Sequence, residues 1–212
     1  MTHEAGTATE QTRARLLDAA REVFSQHGFQ GATVREICRR AEANVAAVNY
    51  HFGSKDGLLA EALNFAPLKA MQLANIEVGG APEMRLCLFV RDFMLMLLDE
   101  TNGSLPCRIM ARELADPTPA LDKIVREAIA PLHEFLGELL REIAGEKTGE
   151  AELRRCVHSI LGQCLYYRHS HPVLQRLHPR LRYDQKEIAA IARHIADFSL
   201  AGINALSKPA AK

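Results

Sequence analysis

A polar face on a short predicted helix is the clearest chemical signal in the sequence. Small side chains at Ala46 and Ala47 allow the backbone of such a helix to approach another surface closely. Asn49, Tyr50 and His51 lie beside them and supply an amide, a phenol and an imidazole. These groups hydrogen-bond base edges and phosphates, and a helix fits the major groove of DNA. The pattern therefore predicts a DNA-reading helix.

Two predicted helices joined by a tight turn position this face. Thr33 and Glu36 have the spacing of a capping box, in which each side chain accepts the backbone N–H group of the other residue, so a helix is expected to begin there. Asn44 follows in the turn and is placed to cap the second helix. The apolar positions of that helix recur at helical spacing and are expected to face inward: Val45, Val48 and Phe52.

Three further residues are candidate contacts with DNA. Arg35 lies near the start of the first helix, where a guanidinium can reach guanine or a phosphate. Thr33 can contact the DNA backbone as well as cap its helix. Lys55 lies in the first turn of a third helix, and an ammonium beside a helix N-terminus suits a phosphate oxygen. From spacing alone the alternative stays open, because short helix pairs also serve as scaffold and exposed arginines are often merely solvated.

Two segments, TRARLLDAAREVFSQHGFQGATVREI and VNYHFGSKDGLLAEAL, combine an amphipathic helix with several short motifs. The motifs are Gly28-Phe29, Thr33, Tyr50-His51-Phe52 and Ser54-Lys55. In this order and spacing they resemble the N-terminal domain of the TetR family of transcriptional regulators, over the stretch from about Thr12 to Phe65. Glu42 stands where the family usually has glycine, and Asn49 where it usually has tyrosine. These departures imply a shifted sequence preference rather than loss of DNA binding.

The predicted fold is all-α, because the hydrophobic periodicity stays helical beyond Lys55 without strand-like alternation. A first helix is expected from about Thr12 to His27, with an apolar stripe of Leu16, Ala20, Val23 and Phe24. Pro67 is expected to kink or break a helix from Lys55 to about Val78, and Pro131 a later long helix. A helix from about Ala81 to Glu100 is apolar nearly all round and is expected to lie centrally.

The resemblance implies a three-helix DNA-binding domain with a helix-turn-helix, followed by a larger helical domain for ligand binding and dimerisation. The predicted segments are a flexible arm at 1–11, the DNA-binding domain at 12–55, the effector-binding and dimerisation domain at 56–206, and a flexible tail at 207–212.

Composition limits the remaining classes of function. The chain has 212 residues with 26 basic and 26 acidic side chains, so it lacks the excess positive charge of a general nucleic-acid coat. The sequence holds no apolar run long enough to span a bilayer, and its polar N-terminus lacks a signal-peptide core. We therefore expect a soluble, cytoplasmic protein without a membrane partner.

Apolar stripes mark the last two predicted helices. A monomer can bury each stripe against its own core, and the small residues beside the stripes also allow close contact between subunits. In the TetR family the final helix pair forms a four-helix bundle across a two-fold axis, so the resemblance implies a homodimer and a palindromic operator in double-stranded DNA. The candidate interface residues are Cys156, Val157, Ile160, Ile188, Ile191, Ile195 and Phe198.

The resemblance also implies a cavity for a small-molecule effector in the C-terminal domain. Phenylalanine and methionine side chains could line it, although the same pattern is common in an ordinary core. The candidate lining residues are Phe89, Phe93, Met110, Arg112, His133, Gln163 and Tyr167. The effector itself is not indicated, and the family favours a repressor over an activator.

Two other classes of function are weighed against this hypothesis. A metal- or redox-responsive regulator could use Cys156, His158, Cys164, His169 and His171, but their spacing matches no common ligand pattern, and buried reduced thiols are favoured. An all-helical small-molecule enzyme is a further alternative. The sequence lacks a nucleophile elbow, a phosphate-cradling glycine loop and a histidine-rich metal helix. We therefore expect no enzymatic activity, no metal and no cofactor.

Overall fold

The computed structural model describes residues 3–63, 65–98, 104–145 and 147–206, so the predicted tail at 207–212 lies outside the described residues. These ranges contain helices and no strands, which confirms the all-α prediction. The helices are α1 (His3–Gly31), α2 (Val34–Arg40), α3 (Val45–Phe52), α4 (Lys55–Leu63), α5 (Ala66–Val78), α6 (Pro82–Leu98), α7 (Ser104–Ala115), α8 (Ala120–Ile124), α9 (Ala130–Ala144), α10 (Glu150–His169), α11 (His171–Leu177) and α12 (Gln185–Leu206).

The first compact unit comprises Met1–Phe65 and Thr101–Glu127. Within it α1 packs against α2, α3, α4 and α7. The predicted stripe of α1 is buried: Leu16, Ala20, Val23 and Phe24 are fully covered. The helix-turn-helix therefore shares its core with a helix from later in the sequence.

Helix α1 begins at His3, upstream of the start predicted near Thr12, so the predicted flexible arm is helical from that residue. The helix is kinked at Gly28, whose φ of 67° and ψ of −179° lie in a region that is essentially restricted to glycine. Beyond the kink the Phe29 ring stacks on Phe24, with ring centroids 6.0 Å apart. Gly28 thus redirects the chain so that the half-buried Phe29 ring packs against the core residue Phe24.

Prolines interrupt two predicted long helices. Pro67 lies in the first turn of α5, and the single helix expected from Lys55 to Val78 is divided into α4 and α5. Pro131 follows a π-helical turn at Val125–Ile129, which separates α8 from α9. Proline lacks an N–H group and its ring collides with the carbonyl one turn earlier, so a wider turn accommodates it.

The second compact unit comprises Ala66–Glu100 and Ala128–Lys212. Helix α6 is central in it and packs against α5, α9, α10 and α12, as its apolar residues predict. Its buried side chains are Leu86, Phe89, Val90, Phe93, Met94, Leu97 and Leu98. No helix in the described ranges is long and apolar enough to cross a bilayer.

Candidate DNA-binding interface

Only one of the two hydrogen bonds predicted for the capping box of α2 forms. Thr33 has an extended backbone, and its Oγ1 accepts the backbone N–H of Glu36 at 3.1 Å. The Glu36 carboxylate does not complete a capping box. It accepts hydrogen bonds from Arg39 and Arg40 at 2.7–3.0 Å, because these guanidiniums follow one turn later on α2. The same hydrogen bonds lower the pKa of Glu36 to about 2.

The turn between α2 and α3 contains the departure from the family pattern. Glu42 has a φ of +50°, in the left-handed region that favours glycine. Ala43 N–H donates to the Cys38 carbonyl at 2.9 Å, and Asn44 Oδ1 accepts the N–H of Ala46 at 2.9 Å, as predicted for a cap. The backbone conformation explains the usual glycine at position 42, and the turn forms with glutamate there at some cost.

Helix α3 has a buried face and an exposed face. Val48 and Phe52 are buried as predicted, but the prediction for Val45 is wrong, because its side chain is 47% exposed. Val45 is the first residue of the helix and lies at the end of the buried face, where the helix enters from the turn. The predicted apolar face of α3 is therefore correct, but the core covers only Val48 and Phe52 and leaves Val45 exposed.

The exposed face carries most of the predicted DNA contacts. Ala46, Asn49 and Tyr50 are exposed, with Tyr50 at 78%, while Ala47 and His51 are half-buried. The rings of Tyr50 and His51 meet edge to face with centroids 4.9 Å apart. The structure therefore brings five of the predicted contact residues together on one side of α3.

The two predicted cationic contacts differ in their surroundings. Arg35 is exposed and forms no ion pair or hydrogen bond with the residues that the structure describes. Lys55 is half-buried: its Nζ donates to the Phe29 carbonyl at 2.5 Å and lies 4.2 Å from the centre of the Phe29 ring. Burial lowers the pKa of the Lys55 ammonium. Lys55 thus joins the start of α4 to the end of α1, a structural role that the sequence analysis missed.

Gly57 is a further position that the sequence analysis did not single out. Its N–H donates to Ser54 Oγ at 3.0 Å, which caps α4. A Cβ atom at this position would lie 2.1 Å from the Phe52 carbonyl oxygen, a distance that no side chain tolerates. The presence of Gly57 within the family-like segment FGSKDGLL was the available signal. Glycine here permits the close junction of α3 and α4.

The predicted effector residues lie in different parts of the chain. Met110 and Arg112 belong to the first unit, on α7, and the Arg112 guanidinium lies beside Gly28. Phe89 and Phe93 are buried in the second unit, where their rings stack with centroids 5.5 Å apart and Phe135 packs against Phe89. This aromatic cluster fills space in the core of the second unit.

Two open clefts account for the other predicted effector residues. One, of about 370 Å³, lies between α9 and α10 and includes His133, whose pKa is lowered by burial and by His158. The other, of about 350 Å³, lies between α10 and α12 and includes Gln163 and Tyr167. Gln163 Nε2 also donates to Ser199 Oγ at 3.3 Å, so this residue links the two helices.

Most of the predicted dimer residues are buried within one subunit. Val157, Ile160, Ile188, Ile191 and Ile195 are each less than a tenth exposed. Cys156 is half-buried, and Phe198 is 65% exposed. The two apolar stripes therefore pack mainly against the core of their own unit, and Phe198 lies on the exposed surface of α12.

The cysteine and histidine residues do not form a metal-ligand cluster in the structure. The described residues contain no group of three or more histidine, cysteine or acidic side chains that could hold a metal ion. Cys164 is completely buried, and burial raises the pKa of its thiol to about 12. A thiol with so high a pKa stays protonated and reacts slowly with oxidants.

Comparison with protein families supports the interpretation of helices α1 to α4, which we call the reading head, as a DNA-binding region. Residues 16–62 match the family model described as bacterial regulatory proteins of the TetR family. Residues 82–203 match the model of the C-terminal domain of the HTH-type transcriptional dual regulator CecR, which covers more than half of the chain. The chain belongs to the TetR family of transcriptional regulators. This confirms the resemblance noted in the sequence.

Individual relatives and solved structures show how far the likeness extends. The CecR regulator of Shigella flexneri is 29% identical over 171 residues, which cover 75% of this chain and 76% of CecR. A transcriptional regulator from Pseudomonas aeruginosa PAO1 has a similar fold, with a TM-score of 0.68, 23% identity and coverage of 94% and 95% of the two chains. AibR, solved with isovaleryl coenzyme A and operator DNA, has a TM-score of 0.64 and 19% identity, covering 88% of this chain and 97% of AibR.

Proposed function

We propose that this protein is a homodimeric repressor that binds a palindromic operator in double-stranded DNA and releases it when a small molecule binds the second unit. The observation that carries the proposal is the exposed face of α3, with Ala46, Asn49 and Tyr50 on one side. Capped ends and the buried Val48 and Phe52 hold this face in a fixed orientation.

We assign the roles of the individual residues from their chemistry and exposure. Asn49 can form two hydrogen bonds with adenine, and the small side chains of Ala46 and Ala47 allow the helix to enter the major groove. Tyr50 and His51 on α3, and Thr33 and Arg35 at the start of α2, suit phosphate oxygens or base edges. Lys55 has three N–H donors, of which the Phe29 carbonyl takes one, so the others can bind a phosphate.

A two-fold dimer requires one surface patch that is complementary to itself. We infer that the exposed side of α10 and α12 is this patch, because Tyr166 lines the cleft that includes Gly162 and His194, and the exposed Phe198 ring lies beside it. Phe198 packs against His194 with ring centroids 6.2 Å apart. We assign Phe198 as the anchor that enters the cleft of the second copy, since aromatic side chains dominate the energetics of such interfaces.

The effector is assigned only to the class of small organic molecules. AibR, which shares the fold, binds isovaleryl coenzyme A, so acyl-coenzyme A thioesters are the first class to test on this chain. A hundredfold loss of operator occupancy requires the effector to bind the released state about 2.7 kcal/mol more favourably than the DNA-binding state. Weakening of operator binding by isovaleryl coenzyme A, with free coenzyme A as the control, would identify this class.

The proposed function is tested by selecting tightly bound duplexes from a random pool with the purified full-length protein. We expect an enriched palindrome whose half-sites lie about one helical turn apart, or a multiple of it. Asn49→Ala should change the base preference within each half-site. The control is Arg180→Ala, which replaces an exposed arginine of the second unit and should leave the selected sequence unchanged. Equal recovery of all duplexes would contradict the proposal.

A further inference from the structure

Two histidines meet across the seam between α9 and α10. His133 on α9 is half-buried, His158 on α10 is exposed, and their imidazole rings lie edge to face with centroids 5.5 Å apart. Burial and the neighbouring His158 lower the pKa of His133. The His133 ring is therefore neutral at pH 7, and one of its nitrogens carries a lone pair that is free to bind a cation.

The register of the two helices accounts for this contact. Close to the loop that joins the helices, the Arg141 guanidinium donates to the Glu150 carboxylate. His133 lies eight residues before Arg141 and His158 lies eight residues after Glu150, so both are about two turns further from the loop. The ion pair and the histidine pair are therefore two contacts along one antiparallel seam, and the packing of the helices places the imidazoles beside each other.

An open cleft of about 370 Å³ lies in this seam and gives solvent access to His133, which lines it. Gly137 follows one turn after His133 and has open space around it, so no side chain fills the seam at that point. Glu134 and Glu138 also line the cleft, and Arg154 lines it from α10. None of these three forms an ion pair with the residues that the structure describes. The carboxylates outnumber the guanidinium, so the charge in the cleft favours a cation.

We propose that His133 and His158 bind one divalent transition-metal ion between α9 and α10, each through one imidazole nitrogen. A zinc–nitrogen bond of about 2.0–2.1 Å places the ion about 3.2 Å from the centre of each ring, so two rings on a tetrahedral ion have centres about 5.2 Å apart. The rings of this pair are already at that separation, so binding requires rotation of the imidazoles and no large movement of the helices.

The chemistry of the ligands selects the class of ion. Imidazole nitrogen suits Zn²⁺, Ni²⁺ and Cu²⁺, whereas Mg²⁺ and Ca²⁺ prefer oxygen ligands. Two protein ligands are fewer than a structural zinc site has, and the described residues contain no group of three or more metal-binding side chains. Water therefore completes the coordination, and the ion exchanges with solvent through the cleft. This inference does not depend on the proposed binding of DNA.

The test measures Zn²⁺ binding by calorimetry on metal-free, full-length protein without a histidine tag. We expect saturable binding of one ion per subunit and no binding of Mg²⁺. His133→Gln and His158→Gln should each weaken Zn²⁺ binding by about tenfold or more, because even changes beside a ligand cost 10–100-fold. The matched control is His178→Gln, which removes an exposed histidine at the end of α11 and should bind as the wild type does. His158 is exposed too, so its variant tests the site without disturbing the core.

Electron paramagnetic resonance of bound Cu²⁺ identifies the ligands directly. The wild-type spectrum should show two imidazole nitrogens on one ion, and each of the two ligand variants should show one. Absence of saturable Zn²⁺ binding would overturn the proposal. Binding that is unchanged in His158→Gln, or equally weakened in His178→Gln, would indicate an adventitious ion only and would overturn it as well. Since DNA binding is not measured, these outcomes leave the proposed regulatory function untouched.

Discussion

Replacing Phe198 by alanine should weaken the dimer without unfolding the subunit. The Phe198 side chain is 65% exposed on one copy, so it contributes little to the core of its own unit. Complete burial of a phenylalanine side chain contributes about 1.5–3 kcal/mol. In a two-fold interface both copies lose the ring, so the exposed fraction counted twice gives a loss of about 2–4 kcal/mol. The dimer dissociation constant should then rise roughly 30- to 1,000-fold.

Sedimentation of the purified protein over a dilution series measures this change directly. The wild-type chain should remain dimeric at concentrations where Phe198→Ala is largely monomeric. The two proteins should have similar helical content, and their thermal midpoints should agree at concentrations where both are monomeric. Operator binding should become steeply dependent on protein concentration in the variant, because only the dimer engages both half-sites. The matched control is Val78→Ala, which truncates a side chain of similar exposure at the end of α5.

Two outcomes would refute the reasoning for Phe198. An unchanged dissociation constant would mean that the second copy covers a different surface. An equal loss of dimer in Val78→Ala would mean that the effect follows general surface hydrophobicity rather than the cleft beside Gly162 and His194. A lower thermal midpoint in Phe198→Ala at concentrations where both proteins are monomeric would instead assign the ring to the core.

Four further predictions concern the reading head. Glu42→Gly should stabilise the protein by about 0.5–1 kcal/mol, because the φ of +50° at this position favours glycine. The thermal midpoint should rise by a few degrees, and an unchanged midpoint would mean that Glu42 is not strained. Gly57→Ala should destabilise it by about 1–3 kcal/mol, while the control Gly137→Ala on α9, with open space around it, should not. Lys55→Ala should reduce the slope of log K for DNA binding against log salt concentration by about 0.9, and it should also lower the thermal midpoint. An unchanged slope would mean that Lys55 does not contact a phosphate. The Glu36 carboxylate stabilises the fold above pH 4.5 and loses this contribution as the pH falls through about 2, so Glu36→Gln should abolish that part of the acid dependence in unfolding scans.

Local signals predicted the reading head well because its geometry is determined within a few residues. Thr33 and Asn44 cap their helices as expected, since a capping side chain needs only the backbone that follows it. The Glu36 carboxylate was predicted to reach back to Thr33 but is held by Arg39 and Arg40, because two guanidiniums one turn away compete better than a single N–H group.

Residues that depend on packing between distant segments were predicted less well. Nothing near Lys55 in the sequence indicates that its ammonium lies against the Phe29 carbonyl and ring, because that contact depends on the kink at Gly28. Periodicity marked Ile188, Ile191 and Ile195 as one face of α12, but it cannot distinguish burial in the same subunit from burial by a second copy. The sequence places Phe198 among the same interface candidates, and its exposure is evident only from the fold.

We expect the internal pairing of charges in the reading head to affect how it discriminates between operator and non-specific DNA. Several of its basic side chains are already engaged by acidic partners in the same unit: Arg13 by Glu61, Arg21 by Asp18, and Arg39 and Arg40 by Glu36. A paired arginine releases fewer counterions on binding DNA, because its charge is partly neutralised beforehand. The exposed Arg35 has no such partner within the described ranges. Binding to non-specific DNA should therefore be weak, and the affinity for an operator should depend mainly on what the exposed face of α3 contacts in the major groove.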